Sequence, residues 1–283
     1  MIDLGNKLMR KFVLFIVICP GLHVSCAHKS GHRINTFASS EIQVYESGQV
    51  NQSEDISEDF SYAIKLDQSN QQVLKRTAYS LSYNPEILLP NWVAWRLTAE
   101  HTEGKIPRDN AYYEDESVPF PRATNEDYRG SGWSHGHMCP AADNKWDAEA
   151  MRESNLLTNI CPQHASLNTG LWNTIERDCR KWAKRYGEVY IVCGPVLLNR
   201  EHETIGENNV VVPEAFFKVV LRLNPKPAAI GFIVRNNEGK KKKDQFINTV
   251  DDVERITGID FFPFLEDSIE DMVEASSNIE DWQ

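Results

Sequence analysis

Two polar segments in the middle of the chain hold the side chains best suited to chemistry. The first is the segment 134–143, in which His135 and His137 flank a glycine. The second lies farther along the chain and contains Asn168 and Glu176. Histidine can take a proton from water near neutral pH, and amide and carboxylate oxygens are ligands that hard metal ions prefer. This combination indicates metal-assisted hydrolysis of a phosphodiester.

Asn168 and Glu176 lie eight residues apart in sequence, around the start of a helix predicted over 170–186. At ~100° per residue their side chains lie within roughly 80° of each other, but their backbones are ~12 Å apart along the helix axis. Glu176 therefore suits contact with a metal ion through a bound water. Asn168 could also cap the start of the helix, and the two roles are compatible.

A zinc site is the competing interpretation of the same segments. The residues with suitable ligand types are His135, His137, Cys139, Cys161 and His164. The first three are crowded together, and Cys161 with His164 supplies a single well-spaced pair. Structural zinc sites usually combine two such pairs, so the pattern favours an oxygen-bound ion.

Strand and helix patterns are interspersed along the chain without regular alternation. The predicted strands are apolar or alternating segments, at 77–83, 90–97, 188–196, 210–212, 215–223 and 228–234. Helices are predicted at 147–157, 170–186 and 248–256. The polar and aromatic segment 103–132 predicts a long surface loop of the kind that often carries function. The pattern predicts an α+β fold with a mostly antiparallel central sheet flanked by helices.

The two ends of the chain differ in composition from the middle. Basic residues precede a short apolar run, 12–19, which predicts an export signal because a bilayer span needs ~20 apolar residues. Cys26 fits a lipoprotein cleavage site and is a candidate lipid anchor; the alternatives are cleavage nearby by an ordinary signal peptidase and an uncleaved anchor. We therefore expect export to the periplasm, the outer envelope or the medium. The predicted segments are an export signal at 1–26, a flexible linker at 27–70, a catalytic domain at 71–270 and an acidic tail at 271–283.

The formal net charge of −11 argues against a protein that holds nucleic acid by its overall charge. It does not exclude one that acts on nucleic acid through a local basic track. The cysteines beyond the predicted signal are Cys139, Cys161, Cys179 and Cys193. In an exported protein these four could form up to two disulfides or remain buried thiols.

The two polar segments resemble the DNA/RNA non-specific endonuclease family, the ββα-metal nucleases. The family signature Asp-Arg-Gly-His-Met-x-Pro-x-x-Asp corresponds to Ser-His-Gly-His-Met-Cys-Pro-Ala-Ala-Asp at 134–143. The second block of the family corresponds to Asn159, Pro162 with Gln163, Asn168, and Trp172 with Glu176. Two blocks at the right separation make the resemblance specific, and it covers residues 70–270. It implies a ββα-metal motif within the α+β fold.

The resemblance also implies roles for individual residues. His137 would be the base that activates water, and Asn159 would orient the catalytic site. Asn168 would be the one protein residue that binds Mg²⁺ directly, with Mn²⁺ as the alternative ion. Glu176 would contact the ion through water.

Two further residues would bind substrate. Arg108 resembles the phosphate-clamping arginine of the family, with Arg122 and Arg129 as rivals. His135 stands where the family has arginine and could donate a hydrogen bond to the substrate.

The function implied is a Mg²⁺-dependent, sugar-non-specific endonuclease that cleaves DNA and RNA and leaves 5′-phosphate ends. The alternative is a catalytically idle envelope lipoprotein that uses the fold to bind nucleic acid or a partner. No obligate protein partner is predicted.

The chain departs from the family signature at Ser134 and His135, which replace aspartate and arginine. Loss of the guanidinium removes a fixed positive charge near the scissile phosphate, so we expect a weaker or more acid-tolerant enzyme. We predict that His135→Arg raises cleavage activity measured at alkaline pH. An unchanged rate would contradict this interpretation.

Overall fold

The computed structural model describes residues 63–65, 71–237 and 239–283. The predicted export signal, Cys26 and most of the predicted linker lie outside the described residues. Within the described part, no helix is long and apolar enough to cross a membrane.

Thirteen strands occur in the described residues: β1 (Ala63–Lys65), β2 (Gln72–Lys75), β3 (Ser80–Asn84), β4 (Leu89–Thr98), β5 (Ser134–His137), β6 (Ile160–Gln163), β7 (Glu188–Val196), β8 (Thr204–Ile205), β9 (Val210–Val211), β10 (Ala215–Arg222), β11 (Ala228–Arg235), β12 (Ile247–Asn248) and β13 (Ile259–Phe261). The α-helices are α1 (Asn125–Tyr128), α2 (Ala148–Ser154), α3 (Ala165–Leu167), α4 (Asn173–Tyr186), α5 (Val250–Thr257) and α6 (Asp267–Glu274).

An antiparallel sheet of seven strands forms the centre of the fold, in the order β12-β11-β10-β7-β4-β3-β2. Its central strands are continuous apolar runs because both faces of the sheet are covered. Every residue of β10 is buried, including Lys218 and Arg222. This arrangement confirms the predicted α+β fold with a mostly antiparallel sheet.

The sheet separates two apolar cores, and successive residues of β10 contribute to them alternately. Phe216 belongs to the front core, which also contains Trp172 and Ile175 from the helical segment. Phe217 belongs to the back core, which contains residues of α5, β13 and α6. The polar segments singled out in the sequence lie on the front side, and the C-terminal helices lie on the back.

The structure corrects the prediction at both ends of the described domain. β1 falls within the predicted linker, yet it pairs antiparallel with β13. The predicted acidic tail forms the end of α6 and a 3-10 turn, Ile279–Trp282. Trp282 is 2% exposed, and its ring packs 4.6 Å from that of Trp182. The acidic composition of this segment hid the apolar contact of Trp282. The prediction that residues 271–283 form a separate tail is therefore wrong.

The four cysteines beyond the predicted signal are free thiols, and all are buried. The disulfide alternative therefore does not apply to Cys139, Cys161, Cys179 and Cys193. In this fold they behave as small apolar core residues.

We predict that Trp282→Ala lowers the free energy of unfolding by about 3 kcal/mol, because it leaves a large cavity beside Trp182. Chemical denaturation of the purified protein measures this change. Met272→Ala is the matched control: Met272 lies in the same C-terminal segment, is 56% exposed, and should change stability by less than about 0.5 kcal/mol. Similar small effects for both variants would contradict the packing described here.

Candidate active site

The frame of the site is a two-stranded antiparallel sheet, β5 with β6, followed by a helix. This is the ββα arrangement that the family resemblance implies. His135 and His137 lie on one face of β5, because side chains alternate along a strand. Gly136 lies between them and faces Gln163, where an added Cβ would approach Gln163 Cβ to 2.5 Å. Glycine is therefore required for the two strands to pack this closely.

His137 is held by hydrogen bonds at its ring and at its backbone. Its Nε2 lies 2.8 Å from Asn155 Oδ1, and Trp172 Nε1 donates to its carbonyl over 3.3 Å. Because an amide oxygen can only accept, we assign the ring proton to Nε2, which leaves a lone pair on Nδ1. Burial lowers the pKa of His137 to about 4. The ring is therefore an uncharged base with a fixed tautomer.

Asn155 also connects this base to the long loop. Asn155 Nδ2 donates to the carbonyl of Asp109 over 3.1 Å, next to Arg108. No role was predicted for Asn155, because it lies at the end of a short helix, where asparagine commonly serves as a cap.

Asn159 is fully buried and hydrogen-bonded to backbone alone. It accepts from Cys139 N over 2.9 Å, and donates to Cys139 O over 2.9 Å and to Ser154 O over 2.7 Å. These bonds fix the segment after His137 against the end of α2. All side-chain polar atoms of Asn159 are thus engaged with backbone groups, which is consistent with the orienting role expected of it.

The helix of the site begins earlier than the predicted residue 170. It runs through α3, a π-helical turn, Asn168–Trp172, and α4. His164 caps its start, since its Nδ1 accepts from Ser166 N over 3.2 Å. The interpretation of Asn168 as a helix cap is therefore wrong. The π turn also changes the angular relation between Asn168 and Glu176 that a regular α-helix would give.

Asn168 lies inside the helix and points toward β5. Its Nδ2 donates to the carbonyl of His135 over 3.3 Å, which ties the helix to the strand that carries His137. Within the described residues, no donor bonds to Asn168 Oδ1 or to the carboxylate of Glu176. The site therefore offers a neutral amide oxygen and a carboxylate, a donor set that fits a hard cation such as Mg²⁺.

The charge of Glu176 depends on a buried network behind it. Burial, with a smaller contribution from Asp143, raises the pKa of Glu176 to about 7. Lys218 opposes this effect most strongly, followed by Arg180. Arg180 in turn pairs with Asp143 over 2.7 Å.

Lys218 is an unusual residue for the centre of a sheet. It is fully buried, and its Nζ has no hydrogen-bond partner in the described part of the chain. Nζ lies 4.5 Å from the ring centroid of Trp172 and 5.0 Å from that of Trp95. Cation–π contacts therefore hold it in place. Sequence reasoning missed Lys218; its one signal was a lysine inside a long apolar strand.

Of the three candidate phosphate-binding arginines, Arg108 is the one whose charge acts on both His137 and Glu176. It is exposed, and its positive charge lowers the pKa of both His137 and Glu176. The rival arginines are engaged elsewhere: Arg122 pairs with Glu114, and Arg129 pairs with Glu126. The structure therefore favours Arg108 over both as the phosphate-binding residue.

His135 does not replace the missing guanidinium. Its ring is stacked between Tyr112 and Tyr128, with centroid distances of 4.0 and 4.1 Å. Its Nε2 is buried without a hydrogen-bond partner. Burial lowers the pKa of His135 to about 4, so the ring carries no charge near neutral pH. Its role in substrate binding stays a prediction. At neutral pH its uncharged ring is not expected to attract a substrate phosphate by charge.

The zinc interpretation is wrong for the residues it named. Among the described residues, the one group of three or more ligand-type side chains close enough to share an ion is Asp251, Glu254 and Glu274. The reason is strand register: Cys161 is paired with Gly136, so it faces away from His135 and His137.

Comparisons with known proteins agree with this geometry. The family model for DNA/RNA non-specific endonucleases matches residues 58–268. The mitochondrial nuclease EXOG of Mus musculus is 38% identical over 210 residues, covering 68% of this chain and 57% of that protein. Mitochondrial endonuclease G of Homo sapiens is 33% identical over 207 residues, covering 68% of this chain and 70% of that protein. The match thus spans less than two thirds of EXOG.

A solved structure gives the same result at the level of the fold. A chain in the crystal structure of an EndoG/EndoGI complex superposes with a TM-score of 0.65 and 31% identity, covering 69% of this chain and 86% of that chain. That structure concerns the mechanism of EndoG inhibition. With the β5–β6 and helix frame, the fixed histidine and the matched family model, this chain belongs to the DNA/RNA non-specific endonuclease family.

Proposed function

We propose that this protein is a Mg²⁺-dependent endonuclease that hydrolyses phosphodiester bonds in DNA and RNA. The observation that carries the proposal is the fixed tautomer of His137, whose unprotonated Nδ1 is held in the same frame as the free Asn168 oxygen. A protein that bound nucleic acid without cleaving it would need neither feature. The idle binding protein is therefore the weaker alternative.

His137 would take a proton from the attacking water at Nδ1, while Asn155 Oδ1 continues to accept from Nε2. Arg108 makes His137 less basic in the free protein. A substrate phosphate paired with Arg108 would offset that charge and make the imidazole a stronger base. Substrate binding would thus prepare His137 for proton transfer.

Asn168 would hold Mg²⁺, or Mn²⁺, directly, and Glu176 would hold it through water. When bound, the ion stabilises negative charge on the transition state and on the departing oxygen. Breaking the bond from phosphorus to the 3′-oxygen leaves the phosphate on the 5′ end. Lys218 and Arg180 would favour the ionised form of Glu176, which the ion requires.

A basic loop beside the site suits a nucleic-acid backbone despite the net negative charge of the chain. Gly239 packs on the metal-binding segment so closely that a Cβ on Gly170 would lie 2.3 Å from Gly239 O. The next residues, Lys240 to Lys242, are exposed. Contacts with phosphate carry no base information, which is consistent with action on both DNA and RNA.

Export, with Cys26 as a lipid anchor, also remains a proposal, and it depends on the sequence pattern alone. Delivery to the envelope or beyond would expose the protein to nucleic acid from outside the cell.

We predict that wild-type protein nicks supercoiled plasmid and cleaves RNA with Mg²⁺, but not with EDTA, and that the nicked ends carry 5′-phosphate. His137→Ala should slow nicking by about a hundredfold or more, because it removes the base. His202→Ala is the matched control, since His202 pairs with Glu214 away from the site. Absence of Mg²⁺-dependent cleavage by wild type would overturn the proposal in favour of a binding protein.

Asn155 offers a test of how the base is controlled. A carboxylate in place of its amide should stabilise protonated His137 and raise its pKa. In Asn155→Asp, activity should therefore begin to fall at a higher pH than in wild type as the pH is lowered. The measurement is the acidic limb of kcat/KM against pH at saturating Mg²⁺, which favours ionised Glu176 in both proteins. An acidic limb that does not move would show that Asn155 does not govern His137.

A further inference from the structure

Three carboxylates converge on the back of the sheet, away from the site described above. Asp251 and Glu254 extend from α5, and Glu274 lies at the end of α6. One carboxylate oxygen from each lies within 4.8 Å of the others. The surrounding elements belong to the back core, so the central sheet separates this trio from His137.

Glu274 differs from an ordinary surface carboxylate because it is buried. Its side chain is 8% exposed, and its Oε1 is buried and has no hydrogen-bond partner among the described residues. Buried carboxylates are normally paired or hydrogen-bonded, because desolvation without compensation is costly. Glu254, by contrast, is oriented by the backbone N–H of Phe261, which donates to its Oε1 over 2.8 Å.

The charged groups with the largest effect on Glu274 are all negative. Asp251 and Glu254 of α5, Asp260 of β13, and Glu270 of its own helix all act in the same direction. Together with burial, the larger cause, they raise the pKa of Glu274 to about 8. Within the described part of the chain, no lysine or arginine forms a salt bridge with Asp251, Glu254 or Glu274, so a proton or a metal ion is left to balance their charge.

We propose that Asp251, Glu254 and Glu274 bind a divalent hard cation, with Ca²⁺ as the best fit. Opposite ligands of one Ca²⁺ ion are up to ~4.8 Å apart, since Ca–O distances are about 2.4 Å, so three oxygens that all lie within 4.8 Å of one another can share the ion. Mg²⁺ demands a tighter octahedron and retains more of its water, and zinc prefers nitrogen and sulfur ligands. Exposed Asp251 leaves an open side where ions can enter and waters can complete the coordination.

The role of this cation would be structural. It would join α5 to α6, and through the Glu254–Phe261 hydrogen bond it would also support β13, with which β1 pairs. The C-terminal segment would thereby be fastened to the back of the sheet. This inference is independent of the proposed nuclease activity, because none of the three residues lies in the catalytic frame.

The test is thermal unfolding of the full chain, first stripped with EDTA and then titrated with Ca²⁺. Asn168→Ala serves as the background, so that the catalytic site does not contribute to the signal. At a Ca²⁺ concentration tenfold above Kd, the midpoint should rise by about 3–6 °C. Asp271→Asn, which changes an exposed carboxylate of the same helix, should retain the shift.

Two variants decide the outcome. Glu274→Gln should abolish the Ca²⁺-dependent shift, and Asp251→Asn, at an exposed position that does not endanger folding, should weaken Ca²⁺ affinity at least about tenfold. An unshifted midpoint in the Asn168→Ala background, or a shift that survives both variants, would overturn the proposal. Glu274→Gln that is more stable than its parent, with no response of the parent to Ca²⁺, would show that a proton occupies the cluster instead.

Discussion

The hydrogen bond between His137 Nε2 and Asn155 Oδ1 is the interaction on which the rest of the site depends. It is buried, so no water competes for the histidine proton, and the amide oxygen permits one tautomer. Through its second group, Asn155 binds the backbone beside Arg108. One side chain therefore holds both the ring of His137 and the loop that carries Arg108. Trp172 then holds the backbone carbonyl of His137, and Asn159 holds the backbone two residues later, at Cys139.

Behind this frame, the front core contains a charge-balanced network within apolar surroundings. Its acidic side chains are Asp143 and Glu176, and its positively charged side chains are Arg180 and Lys218. Any one of these charges would be costly to bury alone. Here the attraction between opposite charges offsets part of the free-energy cost of removing each from water. This balance explains how β10 tolerates a lysine with no hydrogen-bond partner. It also links the central sheet to the chemistry, because Lys218 influences the charge of Glu176.

Much of the architecture was predictable because it depends on periodicity. The strand at 188–196 was predicted with its observed bounds, since a continuous apolar run follows the helix stop at Gly187. The start of the preceding helix was not, because Asn168 resembles a cap and the π turn has no sequence signal. The role of Trp282 was hidden for a related reason: one apolar anchor is outweighed by the acidic residues around it.

The site was partly predictable for a different reason. The motif identified His137, Asn168 and Glu176, whereas Asn155 and Lys218 reach the site through tertiary packing that no local pattern encodes. The zinc hypothesis failed because residue types alone do not show on which face of a strand a cysteine lies.

The central claim is that a proton-accepting imidazole at position 137 drives cleavage. The most direct measurement is the rate of Mg²⁺-dependent plasmid nicking by His137→Gly with and without added imidazole. We predict slow nicking that free imidazole restores in part, and no restoration when Asn168→Ala is combined with it. Nicking by His137→Gly at the wild-type rate, or an imidazole response that persists without Asn168, would contradict the account.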